Sequence, residues 1–196
     1  MGEIEHPVDS VIDLAIVSET STVLGEHEGV RSRLVGRTTV AGFTVDDLSG
    51  LLDPTGWRQL TDGRITMERV GDDPPTDDVP LLYQETFEVT SSLRLTPRLR
   101  VVTKAHEGPP AARWLEYRMA DAQDQSPGEV IQVDQGCIFI RDIADGVRVT
   151  ATKRLLFAPP FDAPNLALLA DPIGYFDTFE KMVLAALPTE GRRVPV

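Results

Sequence analysis

Cysteine and histidine are scarce in this sequence, and their scarcity argues against most thiol and metal chemistry. Cys137 is the single cysteine, so no intrachain disulfide can form and nothing points to an oxidising compartment. Because it lies in an apolar strand pattern, we interpret it as a buried small hydrophobe and not as a reactive thiol. His6, His27 and His106 are far apart, and none has the HxxxH spacing of a zinc helix. We therefore expect a cytoplasmic protein without a metal ion.

Long apolar runs are also missing. The longest, such as residues 166–170, are far shorter than the roughly 20 residues that span a bilayer. The first residues contain neither a basic segment nor an apolar one, and His6 stands where a myristoylation signal has Ser or Thr. We expect no transmembrane segment, no export and no lipid anchor.

Positive charge is in deficit, with 31 acidic against 19 basic residues and a formal charge of -12. Such a surface repels a phosphate backbone, so nucleic acid is not an expected partner. The GxSxG, GxGxxG and Walker A motifs are absent, which argues against common hydrolases, dehydrogenases and nucleotide-binding folds, and no cofactor is expected. The acidic loop 72–78 is interpreted as a solvated loop and not as a cation site.

What the sequence does contain is enough for one core, since 41% of its 196 residues are hydrophobic. Residues 8–21 fit a strand or a short helix equally well. Residues 31–41 alternate and include β-branched residues, which predicts a strand. Residues 44–53 predict a short helix with one apolar face, ended by Pro54, and Trp57 is expected to cover the same surface.

From residue 63 onward the pattern predicts a meander of antiparallel strands. The six predicted strands are residues 64–70, 81–91, 93–106, 113–120, 129–143 and 147–158. Asp145 and Gly146 predict a tight hairpin between the last two. Residues 171–187 follow as an amphipathic helix. The predicted organisation is an N-terminal segment 1–30, a domain over 31–187 and a loose tail over 188–196.

Alternation within the strands indicates which side chains face the core. On three strands a charged residue shares the apolar face: Glu85, Arg141 and Lys153. Burying a charge costs several kcal/mol unless it is paired or solvated, so these residues must pair, reach water at a strand end or line a wet cavity. Two alternatives stay open: Glu85 pairs with Lys153 or Arg141 near the sheet rim, or a bulge at Gly136 changes the parity of the fifth strand.

Two further strands have a clear division between their faces. Leu115, Tyr117 and Met119 share one face of the fourth strand, and a buried Tyr117 hydroxyl needs a partner that a ligand can supply. The third strand has Arg94, Arg98 and Arg100 on the face opposite its leucines. We interpret this basic ribbon as a solvated face and not as an anion site.

The order of these elements resembles the START-like, or SRPBCC, superfamily with its helix-grip fold. The residues that carry the resemblance are 48–57, the hairpin 137–157 and the helix 175–187, within a likeness that covers roughly residues 31–187. The resemblance implies an α+β fold, in which a curved antiparallel sheet wraps around the C-terminal helix after one short helix. It also implies an elongated cavity between sheet and helix for an apolar small molecule, a lipid or an aromatic compound.

Combining the strand faces with this resemblance gives a set of candidate ligand-binding residues. They are Tyr83, Glu85, Phe87, Tyr117, Phe139, Arg141, Lys153 and Phe179. If the protein is an enzyme of the polyketide cyclase or aromatase type, Glu85 is the candidate base, and Tyr117, Arg141 and Lys153 would anchor a carbonyl or phenol oxygen. A third alternative is a filled core and a protein-binding role, through a sheet edge or a homodimer surface.

Overall fold

The computed structural model describes residues 17–23, 29–71, 80–90, 93–120, 131–157 and 172–188. These residues form nine β-strands. The strands are β1 (Val17–Val23), β2 (Gly29–Ala41), β3 (Ile65–Arg69), β4 (Leu81–Thr90), β5 (Leu93–Leu95), β6 (Arg98–His106), β7 (Ala112–Met119), β8 (Ile131–Ile143) and β9 (Gly146–Phe157). Of the segment 8–21, whose type was left open, the described part belongs to β1.

All nine strands form one curved antiparallel sheet. Its order is β1-β2-β9-β8-β7-β6-β4-β3, and β5 pairs with β4. The predicted hairpin between β8 and β9 is confirmed, since Ile143 pairs with Gly146 across the turn. The first long strand, β2, closes the meander by pairing with the last, β9.

The segment before the meander is helical, but not as the single α-helix that the sequence predicts. Asp46–Leu52 and Pro54–Gly56 are 3-10 helices, and α1 covers only Trp57–Leu60. The Thr44 amide and hydroxyl both donate to the Asp47 carboxylate, while glycine and proline limit the helix length. The predicted apolar face is nevertheless buried, and the Trp57 indole N–H donates to the Leu51 carbonyl at 3.0 Å.

The C-terminal helix, α2 (Pro172–Ala186), agrees with the prediction within a residue at each end. It packs on the 3-10 segment, on α1 and on β2. Its residues Phe179, Met182 and Val183 are buried in the main core with Leu115 and Ile140 of the sheet. We call the sheet face that carries Leu115 and Ile140 the inner face, and the opposite one the outer face. The expected α+β helix-grip architecture is therefore present.

A second, smaller hydrophobic cluster lies elsewhere on the inner face. Its buried members are Leu95, Ile131, Leu155 and Phe157, with Phe87 and Met119 packed against it. Because Met119 contacts both clusters, the two apolar regions adjoin each other. The charged inner-face residues described below lie close to both clusters.

One predicted strand, 93–106, is divided in two. Proline has no backbone N–H to donate to the ladder, and the chain leaves the strand at Thr96 and Pro97 before resuming as β6. The Pro97 carbonyl still accepts from the Glu85 amide at 3.0 Å. The acidic loop 72–78 and the tail from residue 189 lie outside the described residues.

Candidate functional site

A buried cluster of charged residues occupies the inner face. Glu85 of β4 is 1% exposed and Lys153 of β9 is 7% exposed, as the strand patterns of β4 and β9 predict for the core side. The Lys153 ammonium lies 3.5 Å from Glu85 Oε1. Glu85 thus pairs with Lys153, one of the two partners considered from sequence, but the pair is in the interior and not at the rim.

Asp134 of β8 is the third member of the cluster, and sequence reasoning missed it. The residue is 0% exposed, and its Oδ2 lies 3.3 Å from Lys153 Nζ. The register of β8 against β9 shifts between Ile131 and Val133. This irregularity moves the even-numbered residues of the rest of β8, including Asp134, to the inner face. Asp134 could have been identified from the sequence only if this shift had been known.

The same shift corrects two of the candidate site residues. Phe139 pairs with Thr150 and Arg141 with Arg148, positions of β9 that alternate with the buried residues Val149 and Ala151. Both side chains therefore belong to the outer face, and the prediction that they share a face with Glu85 was wrong. The parity change that we considered is real, but it originates at Ile131 and Val133 and not at Gly136.

Cys137 belongs to the outer face as well, so its assignment to the core face was also wrong. It is half-buried there beside Glu116. Burial, together with the nearby Glu116 carboxylate, raises the pKa of the Cys137 thiol to about 11. The thiol consequently stays protonated at neutral pH, in keeping with an unreactive cysteine.

Aromatic rings surround the ammonium group of Lys153. Its Nζ lies 4.5 Å from the centroid of the Phe87 ring and 5.7 Å from that of Tyr117. Tyr117 in turn makes an edge contact with Trp57, with ring centroids 6.3 Å apart. Such cation–π contacts partly replace the water that the ammonium loses on burial.

The structure brings together most of the predicted site. Glu85, Phe87, Tyr117 and Lys153 form one group, and the buried Tyr83 is two residues before Glu85 on the same face. Phe179 of α2 is buried in the main core with Tyr83 and Tyr117, at the helix side of the inner face. Burial raises the pKa of the Tyr83 hydroxyl, so it remains a neutral hydrogen-bonding group.

The cluster contains two carboxyl groups and a single ammonium group. Burial is the largest cause that raises the pKa of Glu85, to about 8; Lys153 opposes the shift, while Asp134 adds to it by charge and by a hydrogen bond. At neutral pH we therefore describe Glu85 as protonated, with its proton shared toward Asp134, which forms the ion pair with Lys153. This state has no net charge, because one carboxylate balances one ammonium.

Three oxygens of the cluster retain unused hydrogen-bonding capacity. Glu85 Oε2 and both Asp134 oxygens are buried. Among the described residues, no donor makes a hydrogen bond to any of the three when both carboxyl groups are ionised. The shared proton supplies one donor, and the ion pair with Lys153 compensates charge. Acceptor positions remain, so the cluster can receive a hydroxyl or amino group from a bound molecule. Within the described ranges, no three His, Cys, Asp or Glu residues are grouped as metal ligands would be.

Gly136 brings β8 close to Tyr117, and its replacement is expected to disturb this cluster. A Cβ atom at position 136 would overlap both the Thr152 carbonyl oxygen and the Tyr117 ring. We predict that Gly136→Ala lowers the free energy of unfolding by about 1–3 kcal/mol, because the overlapping carbonyl belongs to a central strand. Urea unfolding monitored by circular dichroism would measure the change.

Gly50 provides the matched control for this substitution. A Cβ atom there meets nothing within 4 Å, so Gly50→Ala is expected to leave stability unchanged or to raise it slightly. Equal stability of the two variants would show that Tyr117 and β9 do not pack as described.

Comparisons with known proteins identify the fold. No protein-family model matches the chain, and a search of curated proteins found no match. Solved structures do resemble it. A STAR-related lipid transfer protein fragment from Xanthomonas axonopodis aligns with a TM-score of 0.57 and 14% identity, over 86% of this chain and 98% of that one. Human StAR-related lipid transfer protein 5 aligns with a TM-score of 0.59 and 11% identity, over 93% and 88%.

A third similar structure is the di-domain ARO/CYC protein StfQ from the steffimycin biosynthetic pathway. Its TM-score is 0.53 at 11% identity, and the alignment covers 80% of this chain and 49% of that one. These likenesses establish that the chain has the helix-grip fold that its resemblance to START-like, or SRPBCC, proteins implies. No helix in the described part of the chain is long and apolar enough to cross a membrane.

Proposed function

We propose that this protein binds a hydrophobic small molecule that carries a hydroxyl or amino group. The observation that carries the proposal is the buried cluster of Glu85, Asp134 and Lys153, in which Glu85 Oε2 and the two Asp134 oxygens keep unused acceptor capacity among the described residues. Buried polar atoms in proteins nearly always have hydrogen-bond partners. A ligand donor that points at these oxygens would complete the cluster.

The apolar part of the ligand would lie between the inner face and α2. Tyr83, Phe87 and Tyr117 supply aromatic surface next to the cluster, and Phe179 supplies it from the helix. The two similar structures named as lipid transfer proteins support an apolar ligand of this kind. A lipid or an aromatic compound with one polar end fits this combination of surfaces.

Native mass spectrometry of gently purified protein, followed by thermal unfolding with paired probes, tests the proposal. Dodecanol and naphthol carry the hydroxyl group that dodecane and naphthalene lack. We expect a co-purifying small molecule, and at least one hydroxylated probe that raises the melting temperature by about 5 °C or more at saturation. The hydrocarbon partner of that probe should stabilise less, because it leaves the carboxyl oxygens unpaired.

Asp134→Asn and Asp145→Asn form a matched pair of variants for this experiment. Asp134 is in the cluster, whereas Asp145 is exposed in the β8–β9 turn. Asp134→Asn should reduce the preference for the hydroxylated probe, and Asp145→Asn should preserve it. The absence of any bound mass and of any stabilisation would indicate a filled core. The search would then turn to a protein partner or to a homodimer.

A second candidate function is acid–base catalysis on the same ligand, of the polyketide cyclase or aromatase type. The pKa of about 8 for Glu85 favours it, since a group that titrates near neutral pH can both accept and release a proton. The fold similarity to the ARO/CYC protein is compatible with this role. Loss of water from a polyketide-like ligand during incubation would establish that the protein is an enzyme. An unchanged ligand mass would leave the carrier function as the proposal.

A further inference from the structure

The outer face of the sheet carries a row of arginines that crosses five adjacent strands. Arg33 of β2 pairs with Arg154 of β9, which pairs with Gln135 of β8. Gln135 pairs with Arg118 of β7, and Arg118 pairs with Arg100 of β6. Directly opposed residues of antiparallel strands share a face, so these five side chains form one line. With strands about 4.8 Å apart, the line is roughly 19 Å long.

This row belongs to a basic surface on an acidic protein. The chain has a formal charge of -12, yet nine of the basic residues whose side chains the structure describes have outer-face positions in the sheet. They are Arg33, Arg37, Arg98, Arg100, Lys104, Arg118, Arg141, Arg148 and Arg154. Such segregation produces a local positive potential that a solvated face with mixed charges would not have.

Within the row, like charges face each other directly. Arg33 opposes Arg154 and Arg118 opposes Arg100, and like charges that are directly opposed destabilise a sheet. The ion pairs found among the described residues involve none of Arg33, Arg118 and Arg154. A ligand with negative charge would reduce the repulsion in both pairs.

A cavity of about 480 Å³ lies over this row. Its lining includes the four arginines, together with Gln135 and Glu116. The volume is that of a small-molecule site. Guanidinium groups match phosphate oxygens in pairs of parallel hydrogen bonds, so each arginine pair suits one phosphate. The centres of the two pairs are about three strand spacings apart, or roughly 14 Å.

We propose that the outer face binds a small, elongated anion with phosphate groups near both ends. One phosphate lies at Arg33 and Arg154 and the other at Arg118 and Arg100, while Gln135 and Glu116 offer hydrogen bonds to the neutral part between them. This site is separated by the sheet from the inner-face cluster. It is independent of the proposed hydrophobic ligand.

A small anion fits this surface better than a membrane or a nucleic acid. The site is concave, whereas an anionic bilayer is flat and would also face the acidic remainder of the protein. The acidic residues outside the row repel an anion over the roughly 8–10 Å Debye length. A small ligand that stays within the row avoids most of this repulsion, whereas an extended polyanion does not. Glu116 within the lining adds to this discrimination.

Isothermal titration at low ionic strength with triethylene glycol bisphosphate, whose extended neutral chain separates two phosphates by about the distance between the arginine pairs, tests the proposal. We expect saturable binding that weakens as salt is added. Arg118→Gln and Arg154→Gln should each raise the dissociation constant about tenfold or more, because each removes a charge-assisted hydrogen-bond donor. Arg58→Gln removes the same charge from the exposed surface of α1 and should change it less than about twofold.

Thermal unfolding without ligand separates binding from folding. Both row variants should melt at the wild-type temperature or above it, since they relieve repulsion between opposed arginines. The proposal fails if triethylene glycol bisphosphate does not bind, or if all three variants bind it equally well. It also fails if the protein binds vesicles with phosphatidylglycerol, or single-stranded DNA, but not the bisphosphate.

Discussion

Replacement of Lys153 by methionine is expected to lower the free energy of unfolding by about 3–5 kcal/mol. Lys153 supplies the ammonium group of the buried cluster, where its Nζ is 3.3 Å from Asp134 and 3.5 Å from Glu85. Methionine fills a similar volume, so the loss reflects charge and not a cavity. It leaves Asp134 with a buried carboxylate that must remain unpaired or take up a proton.

Urea unfolding at neutral pH measures this effect, and two further variants define its origin. Arg154→Met changes the next residue of β9, on the outer face, and should alter stability by no more than about 0.5 kcal/mol. Asp134→Asn in the Lys153→Met background should recover part of the loss, because it removes the stranded charge. Similar stability of Lys153→Met and Arg154→Met, or no recovery in the double variant, would refute the ion pair.

The strand faces show how far alternation alone predicts this fold. Around Glu85 in β4, Tyr117 in β7 and Lys153 in β9 the alternation is uninterrupted, so these residues were placed correctly. Each of these strands pairs on both sides in the interior of the sheet, where an apolar face must continue from strand to strand. The order of elements and the C-terminal helix followed from the same periodicities.

The errors lie where a local irregularity overrides the pattern. In β8 the shift between Ile131 and Val133 exchanges the two faces of the strand, which removed Phe139 and Arg141 from the site and brought in Asp134. The alternating sequence of β8 fits either face, since both include apolar residues. A bulge depends on how the strand pairs with its neighbour, and that pairing is a long-range property.

The arginine row also depends on register. Arg94, Arg98 and Arg100 were recognised as a basic face of one predicted strand, and a solvated surface was the simplest interpretation of these three charges. The alignment of Arg100 with Arg118, Arg154 and Arg33 arises only when β6, β7, β8, β9 and β2 are placed side by side. Sequence shows the alternation within a strand, but the relative shift between strands decides which charges become neighbours.

The stability of the protein is expected to fall as the pH rises from about 4.5 to about 8, through Glu85. The pKa of this carboxyl increases from an ordinary value of 4.5 to about 8 in the folded protein, chiefly because of burial. Between these values the folded state holds a proton that the unfolded state has released, so increasing pH favours unfolding. Below this pH interval, and again above it, Glu85 does not make the free energy of unfolding depend on pH.

Glu85→Gln isolates this contribution because glutamine keeps the shape of the side chain and cannot ionise. The free energies of unfolding of the wild type and of the variant are measured at pH 5, 7 and 9. In their difference the contributions of most other titrating groups cancel. Relative to the wild type, the free energy of unfolding of the variant should increase by up to about 1.4 kcal/mol per pH unit within the interval, and by a few kcal/mol in total.

Glu116→Gln, on the exposed part of the outer face, is the matched control and should preserve the wild-type pH dependence. If the Glu85→Gln difference is constant across the three pH values, Glu85 is ionised throughout. The carboxyl could then not serve as a proton donor to a ligand, whereas a difference that grows with pH would establish the protonated carboxyl on which the inner-face site depends.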